Sequence, residues 1–258
     1  MRVVTLNTWK NEGEYDRRLG LMGQGLAMLS PDVVCLQECF AAEGSDTAEH
    51  LGRMTRMQVL ARPARAKLRR HGQAEVACTS GLASLTRRPA AAEAACALTS
   101  HPADGERIAQ RLDVAGEGGA LRIVNLHLTH LRGPEAAELR GRQLGEALDW
   151  ARRDWSGAIL AVGDFNAPLE AEELAQALRQ CEPPDRPEAD HPRRATLLGP
   201  SVGQAPAFAR TIDHALLFAP KRSWRVRRRF LALDRPDAQG WFPSDHAAVV
   251  VDLEPAYG

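Results

Sequence analysis

Six short apolar runs in this sequence are each bounded at one end by an acid, an amide or an imidazole. The runs are residues 2–7, 33–38, 120–128, 158–166, 211–218 and 246–253. The bounding residues are Asn7, Glu38, His127, Asp164, Asn166, Asp213, Asp245 and His246. Runs this short, rich in Val, Ile and Leu, read as buried strands rather than helices. Between the first two, Leu19, Met22, Leu26 and Leu29 share one face of a helix over 15–29, which Ser30-Pro31-Asp32 stops. Strand, helix, strand at the outset predicts a layered α/β fold, and such folds gather strand ends at one rim. One polar strand end means little, but eight around six strands form a constellation.

The remaining pattern supports the same class. Residues 107–114 and 120–128 are two β patterns split by AGEGG, a hairpin signal. Residues 134–152 predict a helix with Pro134 near its start and Leu144, Leu148 and Ala151 inward, and 169–180 predicts another. Residues 81–89 read as a strand ended by proline, and the polar, Ala/Arg-rich stretch 41–80 as a short helix and a long connection. Six prolines between 181 and 210 predict a long irregular loop. With no internal repeat, low-complexity linker or composition break, residues 1–258 read as one domain.

Composition excludes several functions. Lys plus Arg and Asp plus Glu are 33 each, so the formal net charge is zero. That excludes a strongly basic nucleic-acid coat or polybasic membrane anchor as the main theme, though not a local basic patch. The five cysteines form no CxxC pair or zinc spacing, as expected of free or buried thiols in a reducing compartment. The opening MRVVTLNTWK has no basic region leading into an apolar one, and no run approaches the ~20 apolar residues of a membrane helix. A soluble cytoplasmic protein with no transmembrane segment is expected, and no protein partner is inferable.

Carboxylate and amide oxygens at one rim suit Mg²⁺, a hard cation that prefers oxygen ligands. Imidazoles and an amide beside it suit phosphoryl transfer, donating hydrogen bonds to transition-state charge, while a carboxylate-supported imidazole orients or deprotonates water. No serine elbow, HExxH, Walker loop or EF-hand spacing is present, and Gly20, Gly23 and Gly25 fall inside the helix pattern.

Six motifs then fall in order. TLNTW at 5–9, LQE at 36–38, NLHLTH at 125–130, GDFN at 163–166, TIDH at 211–214 and SDH at 244–246 together resemble the endonuclease/exonuclease/phosphatase superfamily. The resemblance implies a four-layer α/β sandwich, two mixed β-sheets packed face to face with helices outside and a site at one rim. It implies that Glu38 is the principal Mg²⁺ ligand (Mn²⁺ the alternative), with Asn7 and Asp245 completing or water-bridging the site. It implies that His127 and Asn166 contact phosphate oxygens, that Asp213 orients His246, and that Asp164 or His246 activates the water. Two departures stand out: His214 replaces a frequent tyrosine, and Glu75 is an uncertain partner for the strand-end histidine.

Other signals carry bland readings beside sharper ones. His130 reads as a supporting or surface group, and Arg107 as a surface ion pair rather than a phosphate ligand. Trp9, Trp241 and Phe242 suit core packing or a wall for the non-phosphate part of a substrate. KRSWRVRRR at 221–229 reads as exposed arginines on an edge strand rather than a polyanion track. The expected activity is Mg²⁺-dependent hydrolysis of a phosphodiester in a small or lipid-like substrate. The alternative is a nuclease acting on DNA or RNA, and the third reading is a non-catalytic binding module on this fold.

Overall fold

The computed structural model describes residues 1–179, 195–198, 210–219 and 223–256. In chain order, β1 (Arg2–Asn7) leads to α1 (Tyr15–Leu29), β2 (Val33–Ala42), β3 (Ser45–Asp46), α2 (Thr47–Thr55), β4 (Gln58–Arg62), β5 (Lys67–His71) and β6 (Ala74–Thr86). Then come β7 (Ala92–Leu98), β8 (Arg107–Gly116), β9 (Gly119–His127), α3 (Pro134–Arg152) and β10 (Ala158–Asp164). A 3₁₀ turn (Glu172–Leu174) runs into α4 (Ala175–Leu178), and β11 (Asp213–Phe218), β12 (Trp224–Ala232) and β13 (Ala248–Pro255) follow.

The strands form two mixed sheets. The first has the order β12-β13-β1-β2-β6-β4, with β3 beside β2 and β5 beside β6; the second has the order β11-β10-β9-β8-β7. In each, one central pair is parallel, β1 with β2 and β9 with β10, so their C-terminal ends lie together. Leu19, Met22 and Leu26 of α1 and Leu51 of α2 pack on the outer face of the first sheet. Leu144, Ala147, Leu148 and Ala151 of α3 pack on the outer face of the second. A third apolar cluster lies between the sheets. The chain therefore builds the four-layer α/β sandwich.

Strand periodicity explains how this architecture makes a site. Alternate residues face opposite sides of a sheet. In β1, Val4 and Leu6 face the helices, while Val3 faces the second sheet; Thr5 and Asn7 continue that inner stripe. The same stripe runs Val33, Cys35, Gln37 in β2 and Leu121, Ile123, Asn125, His127 in β9. It runs Ala158, Leu160, Val162, Asp164 in β10 and, read backwards, Leu217, Ala215, Asp213 in β11. The layer between the sheets is thus apolar at one end and polar at the other.

Buried polar groups at the changeover require partners. Gln37 Nε2 donates to Asn125 Oδ1 across the sheets (2.7 Å) and to Thr5 Oγ1 (2.9 Å). Asn125 Nδ2 donates back to the carbonyls of Leu36 and Ala83, each at 3.1 Å. Nearby, Ser84 Oγ donates to Gln110 Oε1 (2.8 Å), whose own amide reaches the Leu60 carbonyl (2.7 Å). Gln37, Ser84, Gln110 and Asn125 are all fully buried.

Two sequence expectations need correction. Residues 41–80 hold α2 but also β3, β4, β5 and the start of β6, not one long connection. Strands β4 and β5 are largely solvent-facing, so they lack the apolar alternation that marks a half-buried strand. The helix expected over 169–180 is only the 3₁₀ turn and the four-residue α4. The proline-rich loop expected over 181–210 falls outside the described residues except at 195–198 and Arg210. The arginine-rich run, where described, is β12, an edge strand. Among the described residues no helix is long and apolar enough to cross a membrane.

The inter-sheet amides yield a stability prediction. Replacing Asn125 with Leu removes one of three acceptors from the Gln37 amide and the side-chain donor to two buried carbonyls. Each stranded buried group costs about 1–3 kcal/mol, so urea denaturation of Asn125→Leu should show a loss of about 2–4 kcal/mol. A loss below about 0.5 kcal/mol would mean the inter-sheet amides do not hold the layers in register.

Candidate active site

The inner stripes deliver Asn7, His127, Asp164 and Asp213 to one rim, and the adjoining turns deliver the rest. Glu38 sits where the β2–β6 register shifts between Leu36 and Cys39, and it takes φ +56°. Trp9, Lys10 and Asn166 also have positive φ, at +55°, +47° and +52°. Non-glycine residues in this region are strained, and strain collects at sites where surrounding structure overrides it. At Gly163 (φ +142°), an added Cβ would stand 2.0 Å from the Leu126 carbonyl oxygen. Only glycine lets β10 approach β9 this closely, with Asp164 opposite His127 in register.

All eight sequence-singled residues come together. Asp164 lies at the centre: its Oδ2 accepts from Asn7 Nδ2 (3.0 Å) and its Oδ1 from the Asn166 backbone N–H (2.8 Å). His127 Nε2 stands 3.6 Å from Asp164 Oδ2 and 4.0 Å from Glu38 Oε1. His246 Nε2 stands 4.0 Å from Asp164 Oδ2 and 3.9 Å from Asp245 Oδ1. On its other side His246 Nδ1 donates to Asp213 Oδ2 at 2.9 Å. Asn166 Nδ2 donates to the Leu128 carbonyl (3.1 Å), which sets its side chain beside the His127 strand end.

Several supporting residues were given no role from the sequence. Lys10 Nζ pairs with Glu38 Oε1 at 2.9 Å. Arg18 is buried in α1 and donates to the carbonyls of Thr8, Trp9, Lys10, Glu12 and Pro243, tying the loop after β1 to the loop before Asp245. Ser244 Oγ donates to the Asn7 carbonyl (2.7 Å). Thr196 Oγ1 accepts from the Ile212 and Asp213 backbone N–H groups, while its carbonyl accepts from Ala247 N–H. Lys10 acts on a side chain and the others on backbone groups, and the pairings are made by the folded loops, which local sequence does not reveal.

The remaining expected residues take clear places. Arg107 is not a surface ion pair: it and Asp104 are buried together, and Arg107 Nη1 donates to the His127 carbonyl (3.2 Å). His130 is half exposed, with Nδ1 2.6 Å from Asp104 Oδ1. Glu75 is exposed opposite Arg70 on β5, so it is not a partner of His127. His214 faces away from the site, where its Nε2–H donates to the Ala167 carbonyl (2.8 Å) and its ring meets Phe165 edge-on. Trp9, Trp241 and Phe242 are half-buried beside the site motifs.

Electrostatics separates these groups into roles. Burial, then the Asp213 charge, pushes the Asp164 carboxyl up to about 7. Burial, with Glu38 and Asp213 nearby, pushes Asp245 up to about 6. Burial would also raise Glu38, but Lys10 outweighs it and holds Glu38 below the usual carboxylate range. The imidazoles diverge. Burial and the cations Arg107, Arg65 and Lys10 hold His127 well below the usual histidine range, while Asp213, Asp245 and Asp164 overcome burial and raise His246 well above it. A neutral and a cationic imidazole flanking one carboxylate is a pattern that divides proton donors from acceptors.

A divalent cation fits this donor set. Asn7, Glu38, Asp164 and Asp245 offer hard oxygen donors, and two of the carboxyls are raised because buried negative charge lacks compensation. Asp213 Oδ1 is buried without a partner. Ligand atoms of Asp164, Asp213 and His246 lie within 4.8 Å of one another, but the His246–Asp213 hydrogen bond engages two of these three residues with each other.

The comparisons with known proteins agree with this architecture. Residues 4–246 match the Endonuclease/Exonuclease/phosphatase family, and the chain belongs to that family, whose members are generally hydrolytic phosphoesterases and nucleases. Similar solved structures include a family protein from Leptotrichia buccalis C-1013-b (TM-score 0.75, 16% identity, 98% of this chain and 99% of that one). The human Nocturnin catalytic domain with bound sulfate anion has a TM-score of 0.70 at 20% identity, covering 99% of this chain and 94% of that one. TDP2 from C. elegans has a TM-score of 0.68 at 17% identity, covering 99% and 75%. At these identities the likeness is one of fold. No curated protein matches the sequence significantly.

The raised Asp164 gives a pH prediction. A carboxyl raised from 3.8 to about 7 favours the folded state when protonated, so its contribution is complete below pH 3.8 and is lost as pH rises through about 7. Asn at this position stays neutral. In metal-free buffer, the stability of Asp164→Asn relative to wild type should rise by about 1 kcal/mol or more between about pH 4 and pH 7. A pH-independent difference in chemical denaturation would contradict the assignment.

Proposed function

We propose that this protein is a divalent-metal-dependent phosphoesterase acting on a phosphodiester in a small or lipid-like molecule. The observation that carries this reading is the Asp213–His246 pair, 2.9 Å apart and buried, set beside Asp164 and Asp245 at the polar end of the inter-sheet layer. Glu38, Asn7 and Asp245 would hold the cation, Mg²⁺ or Mn²⁺. When bound, it polarises a phosphoryl oxygen and offsets charge on the leaving oxygen.

The protein's own groups divide the remaining work. Asp164, with a pKa near 7, is matched to take a proton from the attacking water at neutral pH. His246 is held protonated by Asp213, which suits it as a hydrogen-bond donor to developing phosphoryl charge rather than as a base. Neutral His127 and the Asn166 amide would contact non-bridging phosphate oxygens. Lys10 keeps Glu38 ionised, as a cation ligand must be.

A small or lipid-like substrate is supported by the zero net charge and by the position of the arginine run. Arg225 pairs in register with Glu254, at the far end of β13 from His246, so this end of the run does not line the site. Cys35, Cys39, Cys78 and Cys96 form no disulfide, which supports a reducing, cytoplasmic setting.

Hydrolysis of bis(4-nitrophenyl) phosphate with Mg²⁺ tests the proposal. Wild type should turn over and EDTA should stop it, while Glu38→Gln, Asp164→Asn and His246→Ala should each lower kcat by about 100-fold or more with native circular dichroism. Near wild-type turnover in any of the three would overturn its role. Supercoiled plasmid should stay intact; nicking by wild type but not by Glu38→Gln would replace the small-molecule reading with a nuclease.

A further inference from the structure

The layer between the sheets has two ends, and the candidate catalytic groups occupy one of them. At the other lies a cavity of about 820 Å³, within the size range of small-molecule sites. Arg2 and Asn7 are opposite ends of β1, so about 17 Å of strand separates this cavity from the catalytic rim. Its floor is the end of the apolar layer: Val33, Val114, Trp224 and Leu253 line it, and all four belong to the inter-sheet cluster.

Two walls of the cavity are fixed by tertiary contacts. On one side the tip of the β8–β9 hairpin closes on Trp224. A Cβ on Gly116 would stand 2.6 Å from the indole Cη2, and one on Gly118 would stand 2.7 Å from Cε2 and from the Ser223 carbonyl oxygen. Bare glycines therefore let this hairpin of the second sheet rest directly on β12 of the first. On the other side, the turn between β6 and β7 is pinned at both ends. The Arg87 N–H donates to the carbonyl of Asp32, just before β2, at 2.9 Å. The Ala91 N–H donates to the carbonyl of Asp113, in β8, at 2.8 Å. Arg88 and Pro89 line the cavity from between these two anchors.

Five arginines and four carboxylates line the cavity, so its side chains carry one positive charge in excess. Three of the acids are engaged. Arg2 holds Asp252 at 2.7 Å, its backbone N–H donates to Asp32 Oδ2 at 2.7 Å, and Arg225 and Arg227 share Glu254. Glu117, exposed at the hairpin tip, is the acid left over. Against it stand two guanidiniums that make no ion pair among the described residues: Arg88, and Arg87, whose Nε donates to the Pro31 carbonyl (3.1 Å). We propose that this cavity binds a small amphipathic monoanion, its apolar body on the floor and its carboxylate head at Arg87 and Arg88. A guanidinium matches a carboxylate with two parallel donors, and one excess charge suits a carboxylate better than the dianion of a phosphate monoester. The site stands apart from the catalytic rim and does not rest on the phosphoesterase reading.

Nitrogen-15 nuclear magnetic resonance of the five indole N–H groups tests the site, with the Trp224 signal assigned from Trp224→Phe. The probes are octanoate, octan-1-ol and octylammonium, which share one apolar body and differ in the charge of the head. Octanoate should shift the Trp224 signal saturably and leave those of Trp9 and Trp241, beside the catalytic rim, in place. Octan-1-ol should bind about fivefold more weakly, the upper end for one solvent-exposed guanidinium–carboxylate contact, and octylammonium more weakly still. Arg87→Met/Arg88→Met should bind octan-1-ol as wild type does, which shows the cavity intact, and octanoate no better than octan-1-ol. Octanoate binding should be unchanged in Glu38→Gln. An absent or unsaturable shift at Trp224, equal shifts at Trp9 and Trp241, or equal affinities for the three probes in wild type would overturn the proposal. So would an unchanged preference for octanoate in the double variant, or loss of octanoate binding in Glu38→Gln.

Discussion

The Gln37–Asn125 hydrogen bond crosses the gap between the sheets where the layer changes from apolar to polar. Below it, Val3, Cys35, Ile123 and Leu160 pack as an ordinary sandwich core. Above it lie Asn7, His127, Asp164 and Asp213, none of which an apolar core would tolerate unpaired. The two amides end the hydrophobic layer without stranding the Leu36 and Ala83 carbonyls. They hold the strand ends of two different sheets in fixed register, and every distance in the site depends on that register.

The rim so formed is electrostatically unfavourable by itself. Asp164 and Asp245 are raised because burial and neighbouring carboxylates penalise their ionisation, and Glu38 stays ionised through Lys10. Positive φ angles at Trp9, Lys10, Glu38 and Asn166 add backbone strain in the same small volume. The rest of the fold offsets this. Arg18 braces the surrounding loops through five carbonyls, and Thr196 braces the Asp213 and Ala247 backbones. A site strained in this way is suited to a cation, which relieves the negative charge that the folded chain alone leaves uncompensated and in turn attracts an anionic substrate.

Much of this was legible in the sequence because period-two burial is local. TLNTW, LQE, NLHLTH, GDFN and TIDH each show an apolar stripe meeting a polar end, and the structure brings those ends together. The strands β4 and β5 were not legible: QVLAR and KLRRH are mostly solvent-facing and take their conformation from pairing with β6. Arg107 was misread because an arginine beside Asp104 and Glu106 looks solvated, whereas tertiary packing buries the pair under the His127 carbonyl. Arg18 gave no signal because its partners are backbone carbonyls, four in the loop just before α1 and one, Pro243, far along the chain.

The central claim is that these strand-end groups form one cation-binding, phosphoester-cleaving centre. Mn²⁺-induced broadening of the histidine ring signals in nuclear magnetic resonance addresses it most directly, because weak, fast-exchanging binding is still detected at substoichiometric metal. The account predicts selective broadening of His127 and His246, with His50 and His101 spared and the effect lost in Glu38→Gln. Uniform broadening, or selective broadening that persists in Glu38→Gln, would contradict it.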